Sequence, residues 1–192
     1  MQQIFPTDVT PEEFFDLGLD FPFPQPKVCL NPDCRTPVPP KKHGFYTRNV
    51  IDFNSVFRIS IRRYYCRYCG RTFSYLPSFC LPYFQYSLEL IFLGILCHFF
   101  KLGVLLLAFL RARSLVYQRQ HIQFYRRRFL NNLKLIQLGI RQLMPEQELP
   151  GHENIQKGAQ KILGIVLSGF PRIQAFSQSF FAQCNHSFMT PC

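Results

Sequence analysis

The sequence predicts an α+β fold in which a small antiparallel β unit precedes an all-helical remainder. Three observations predict it. Phe57, Ile59, Ile61 and Arg63 alternate with Arg58, Ser60 and Arg62, the period-two pattern of a strand with one covered face. After Tyr83 the apolar residues recur at helical spacing instead. Two short-range cysteine pairs, Cys29 with Cys34 and Cys66 with Cys69, are separated by 31 residues and frame the β-type segment.

Taken in order, residues 1–26 read as an acidic arm, with Asp8, Glu12, Glu13, Asp16 and Asp20 against no Lys or Arg. Thr10 before Pro11, with Glu13 three residues on, is a capping signature that predicts a helix over about 11–17, stopped by Gly18. Pro22, Pro24 and Pro26 forbid both helix and central strand and read as a linker. Residues 27–78 hold the strands, and Pro77 and Pro82 bracket a turn. Helices are expected near 86–100, 103–111, 115–143, 154–168 and 172–183. That divides the rest into a helical domain over 84–143, with a long third helix, and a C-terminal helical segment over 150–192. In the long helix Leu115, Ile122, Tyr125, Phe129, Leu133, Ile136, Ile140 and Leu143 form one apolar stripe, capped by Ser114, while Arg113, Gln120, Gln123, Arg127 and Lys134 stand on another side.

Each cysteine pair sits in a knuckle, the first bent by Pro32 and the second followed by Gly70, whose permissive backbone lets amides turn back toward sulfur. Tetrahedral zinc takes four donors at about 2.3 Å for sulfur, and two such knuckles converge on Zn2+ without a large core. The metal then stabilises a segment too small to fold alone. The expected ligands are Cys29, Cys34, Cys66 and Cys69. Two other readings stand beside this one: a redox pair at Cys66 and Cys69, which lacks the βαβ context of such motifs, and four unrelated buried thiols. His43 reads as a solvated loop residue, and Cys80, Cys97, Cys184 and Cys192 as buried or terminal free thiols. The stretch MQQIFPTDVTPEEFF has no basic segment followed by an apolar one, so a reducing, cytoplasmic compartment is expected.

The run CRYCGRTFSYLP from Cys66 to Pro77 is similar to the second knuckle of zinc ribbons at the N-termini of bacterial insertion-sequence transposases, and CLNPDC from Cys29 to Cys34 resembles the first. SLVYQRQHIQFYRRRFL from Ser114 to Leu130 resembles the third helix of the helix-turn-helix that follows such ribbons. The resemblance spans roughly residues 27–130. It implies a zinc ribbon, a helix-turn-helix-like domain and recognition of duplex DNA such as transposon ends, with a nucleoid-associated location. A second copy of the chain or a transposase is the protein partner it implies.

Catalysis is not expected. After Asp52 the acids are Glu89, Glu146, Glu148 and Glu153, so no triad of spaced carboxylates is available to hold catalytic metal ions. No Gly-rich phosphate loop or nucleophile elbow appears, and no small-molecule substrate is expected. Charge points to nucleic acid instead: residues 27–74 carry ten Lys or Arg against Asp33 and Asp52, and residues 90–145 carry nine against no acid. Arg58 and Arg62 share a strand face, Gln120, Gln123 and Arg127 suit base edges, and Arg113, Arg126 and Arg128 suit the phosphate backbone. RNA is the competing target, through stacking on Tyr64, Tyr65 and Tyr68. A further reading makes Leu90 to Leu110 a membrane span, since it is 21 residues long with only His98 and Lys101 strongly polar. The Lys101-Leu102-Gly103 break favours two buried helices over that span.

Overall fold

The computed structural model describes residues 2–34, 36–53, 55–112, 118–151 and 154–190. It is α+β, with a four-stranded sheet and seven α-helices among the described residues. The chain divides into two compact units, Met1–Ile51 with Val56–Gln85 and Asp52–Ser55 with Tyr86–Cys192. The acidic arm expected over 1–26 falls within the first of these units.

That arm supplies part of the first unit's core. Strands β1 (Gln2–Phe5), β2 (Lys41–Ile51), β3 (Val56–Tyr65) and β4 (Thr72–Pro77) lie in the order β1-β4-β3-β2. β1 runs parallel to β4, and the other pairs are antiparallel. Helix α1 (Pro11–Leu17) forms where its cap predicts, with the Glu13 amide donating to Thr10 Oγ1 at 3.2 Å and the Thr10 amide donating to the Glu13 carboxylate at 2.7 Å. Phe14 on its inner side is fully buried, 4.4 Å from the Phe21 ring and 5.5 Å from that of Phe79. Phe5, Phe14 and Phe21 join Ile59, Ile61 and Leu76 in one apolar cluster. The arm's acids all remain exposed.

The alternation expected in β3 holds through Ile61, with Ile59 and Ile61 buried and Arg58 exposed. A register shift between Lys42 and Phe45 interrupts the β2–β3 ladder. Gly44 sits there at φ +70°, the left-handed conformation such a bulge demands. His43 is an exposed residue of this bulged strand rather than of a loop, with its ring 5.5 Å from that of Tyr65.

The second unit contains α2 (Leu88–Phe99), α3 (Gly103–Ala112), α4 (Arg119–Asn131), α5 (Leu133–Leu143), α6 (Ile155–Gly169) and α7 (Ile173–Cys184). The apolar stretch 90–110 is divided between α2 and α3, and among the described residues no helix is long and apolar enough to cross a membrane. The division is a hydrogen-bonded helix stop. Lys101 takes φ +61°, the Leu102 amide reaches back to the Cys97 carbonyl at 2.7 Å, and the Lys101 amide to that of His98 at 3.3 Å. α2 is buried on most sides, as expected. α3 is not: Val104, Leu105 and Phe109 are exposed while Leu106 is buried. α2 packs against α4, α6 and α7, whereas α3 packs mainly on α2, so that among the described residues its outer side has little cover.

The single helix expected over 115–143 is two. Asn132 interrupts it, because its buried side-chain amide donates to the Thr190 carbonyl at 2.9 Å and draws the residue out of helical geometry. The apolar stripe survives the break, with Ile122, Tyr125, Phe129, Leu133, Ile136 and Ile140 all buried. Ser114 and Leu115, expected at the start of that helix, lie outside the described residues. α4 begins at Arg119, where the Gln118 amide donates to His121 Nδ1 at 2.9 Å.

Glu89, in the first turn of α2, carries a measurable consequence. Burial pushes its carboxyl up to about 7, with the Asp52 charge adding to the rise and Arg172 opposing it. A carboxyl whose folded value lies above its ordinary 4.5 favours the fold in its protonated form, so the penalty is absent below about pH 4.5 and complete above about pH 7. Glu89→Gln removes the charge and keeps the shape. It is expected to leave stability unchanged near pH 4.5 and to raise it by about 2–3 kcal/mol at pH 8. Urea unfolding midpoints of both proteins at the two pH values check this; equal gains at both would remove the ionisation as the cause.

Candidate functional site

The four paired cysteines meet at one point of the first unit. Their sulfurs all lie within 4.8 Å of one another, with Cys29 Sγ 3.7 Å from Cys69 Sγ and Cys34 Sγ 3.9 Å from Cys66 Sγ. A tetrahedron with sulfurs about 2.3 Å from its centre has edges of about 3.8 Å, so the thiols stand where four thiolates around one ion would stand. Cys29 and Cys66 are buried and Cys34 and Cys69 half-buried. No other group of three or more such donors occurs among the described residues, and His43 is not in this one.

Local backbone bonding explains the convergence. In the first knuckle the Cys34 amide donates to the Asn31 carbonyl at 3.0 Å, and the Cys29 amide to that of Thr36 at 3.1 Å. In the second, the Gly70 amide donates to the Cys66 carbonyl at 3.0 Å, and the Cys66 amide to that of Arg71. Gly70 holds φ +67°, a conformation a side chain would strain. Amides then face sulfur: that of Asn31 at Cys29, that of Thr36 at Cys34 and that of Arg71 at Cys69. The Arg71 amide, assisted by the Asn31 side chain, brings the Cys69 thiol down to about 7. Burial drives Cys29 the other way, up to about 12. Both directions suit a cation, which is attracted by the first thiolate and neutralises the second.

Residues 31–95 match the family described as Domain of unknown function (DUF6431). The DUF6431 match starts inside the first knuckle and ends in α2, so it includes Cys34, Cys66 and Cys69 and begins just after Cys29. No curated protein and no solved structure matches the chain.

The basic candidates fall in both units. Within the matched segment Arg58 is exposed, with its Nε donating to Thr47 Oγ1 at 3.3 Å. Arg62 lies over the Phe45 ring at 4.2 Å, a cation–π arrangement that leaves it half-buried. In the second unit Gln120, Gln123, Arg126 and Arg127 line one cavity of about 520 Å³ together with His98 and Asn131. Gln120, Gln123 and Arg127 are exposed, and Arg126 is half-buried. Arg128 is turned toward the Phe124 ring at 5.5 Å. Arg113 lies outside the described residues.

Sequence reading missed three participants. Asn31 is buried and hydrogen bonds Cys69, and the x₄ spacing of the first knuckle, which places it between Cys29 and Cys34, is its one local signal. His98 was read only as a polar member of an apolar stretch; it joins the α4 cavity from α2, and burial, with the Arg126 charge, holds its imidazole below the usual range and so uncharged near neutrality. Ile155 reaches the same cavity from α6. No periodicity links positions so far apart.

Proposed function

We propose that the protein is a zinc-stabilised DNA-binding protein related to insertion-sequence transposases, without a catalytic centre of its own. Zinc is the ion that suits four sulfur donors at tetrahedral spacing, since soft thiolate sets select it over magnesium or calcium. The relation to transposases rests on the CRYCGRTFSYLP run and its knuckle. The observation that carries the DNA reading is the α4 surface: Gln120 and Gln123 in the first half of the helix and Arg127 in the second are exposed, on a helix seated by Ile122, Tyr125 and Phe129, in a stretch with no acid from 90 to 145. Helices α2 and α3 before it, joined at Lys101, are the candidate partners of a helix-turn-helix-like arrangement.

A selected-site experiment on duplex DNA tests this. Gln123→Ala is expected to weaken the preferred site by about 1–3 kcal/mol and to relax specificity there. Arg128→Ala is expected to weaken all sequences alike and to flatten the salt dependence by about one phosphate. Recovery of the same motif from wild type and from a Gln120, Gln123, Arg127 triple-alanine variant would move recognition off α4. RNA or single-stranded DNA is the second reading, favoured by Tyr68, which is 69% exposed and lines a hollow of about 210 Å³ with Arg67 and Lys41. Tighter binding to single strands than to duplex at equal salt would select it.

A further inference from the structure

The cavity along α4 has a charge and a size that duplex reading alone does not use. Two guanidinium groups, Arg126 and Arg127, line it, and none of its described lining residues is a carboxylate. Arg126 is half-buried, its Nε shielded from solvent with no hydrogen-bond partner among the described residues, and Arg127 is exposed. The guanidinium fork fits phosphate oxygens in a bidentate way. At about 520 Å³ the space is far larger than an inorganic anion needs and lies within the range of small-molecule pockets. Its walls are of two kinds. Phe124, Leu130 and Ile155 offer apolar surface, while Gln120, Gln123 and Asn131 carry side-chain amides that both donate and accept, as the edge of a nucleobase does.

A stacked base pair cannot enter such a hollow, because its neighbours and both backbones hold it in the helix. A nucleotide at a strand end, or a free one, can. Such a nucleotide also differs electrostatically from an internal one: a phosphate monoester carries close to two negative charges at neutral pH, against one for each backbone diester. We propose that this cavity seats a nucleotide through its phosphate monoester, with the phosphate on Arg126 and Arg127 and the base against the Gln and Asn amides. The inference rests on the reading of α4 as the nucleic-acid-contacting helix and specifies the group that helix receives.

The test uses the full chain and measures anisotropy of internally labelled pentathymidylate bearing a 5′-phosphate, a 3′-phosphate or neither. dTMP and inorganic phosphate serve as competitors, and a covalently closed DNA dumbbell without ends is measured in parallel. One phosphorylated form is expected to bind about tenfold or more tighter than the unphosphorylated strand, as for a charge-assisted hydrogen bond gained. Arg127→Ala, at an exposed position, is expected to abolish that difference; Arg126→Gln should do the same, and if that variant does not fold, Arg127→Ala decides alone. Competition by dTMP as strong as by the phosphorylated strand would identify the free nucleotide as the ligand source, and competition by inorganic phosphate at equal strength would overturn the role of the base. Equal binding of all three oligonucleotides, with no competition by dTMP, overturns the inference. Retained dumbbell binding in that case leaves the duplex reading of α4 standing, whereas dTMP binding without any DNA binding keeps the cavity assignment and removes the duplex reading.

Discussion

Cys66→Ser is expected to lose the bound metal and, with it, the folded state of the first unit. Each wild-type chain should carry one zinc, and the variant none, by elemental analysis of protein purified under reductant. The size of the effect follows from comparing two magnitudes. Structural zinc in small sites contributes apparent binding energies of about 10–16 kcal/mol near neutral pH, whereas a whole domain is stable by only about 5–15 kcal/mol. The four sulfurs join the segment around Cys29 to the turn after β3, two stretches that share no ladder beside the knuckles. Without the ion, four thiols remain packed within 4.8 Å of one another, Cys29 and Cys66 among the buried residues, and the Asn31 side-chain hydrogen bond to Cys69 is a weak tie between the knuckles by comparison. Strand signal in circular dichroism should fall in the variant and in wild type treated with a chelator, and zinc should restore it only in wild type. Full zinc occupancy in Cys66→Ser would show that the ligand set is wrong.

Phe14→Ala is expected to destabilise the same unit by about 3–5 kcal/mol, the range for emptying a fully buried aromatic position. Its neighbour supplies the control. Phe15, next along α1, is 46% exposed, with its ring 5.9 Å from that of the partly buried Phe57, so Phe15→Ala is expected to cost about 1 kcal/mol or less. Two adjacent phenylalanines in an acidic arm thus separate two pictures. An arm that merely trails from the sheet makes both substitutions neutral, while an arm whose Phe14 lies against Phe21, Phe23 and Phe79 makes them unequal. Urea unfolding of the two variants, with zinc present throughout, distinguishes them.

What could be read in advance was whatever the chain encodes over a few residues. The Thr10 and Glu13 cap, the alternation through Ile61, the helix stop near Lys101 and the cysteine pairs each occupy a short window, and their backbone consequences are local. Features that depend on distant partners were invisible. β1 is four residues long with no alternation of its own, and exists because β4 offers a parallel edge. The break after α4 is caused by Thr190, 58 residues beyond Asn132. The exposure of α3 reflects which neighbours α2 had already taken, something no hydropathy pattern records. For the candidate sites the same division holds: the cysteines announced themselves by spacing, and α4 by its Gln and Arg residues, but the wall that His98 and Ile155 add to α4 is a product of packing.

The pairing of β1 with β4 bears on how the protein is made. Gln2 faces Ser74 across that ladder, so the strand waits while some 70 residues are synthesised, and closing a loop of that length carries an entropic cost of about 4 kcal/mol beyond its constant part. β2 and β3 need only the turn between Ile51 and Val56. The hairpin can therefore form on the ribosome before the second cysteine knuckle has emerged, and β1 docks only after β4 is out. During that interval Phe5, Phe14 and Phe21 lack Leu76 and Phe79, which complete their core. A chain stalled before Pro77 would present these rings to chaperones or to other stalled chains, so the rate of translation through this stretch bears on yield independently of the stability of the finished fold.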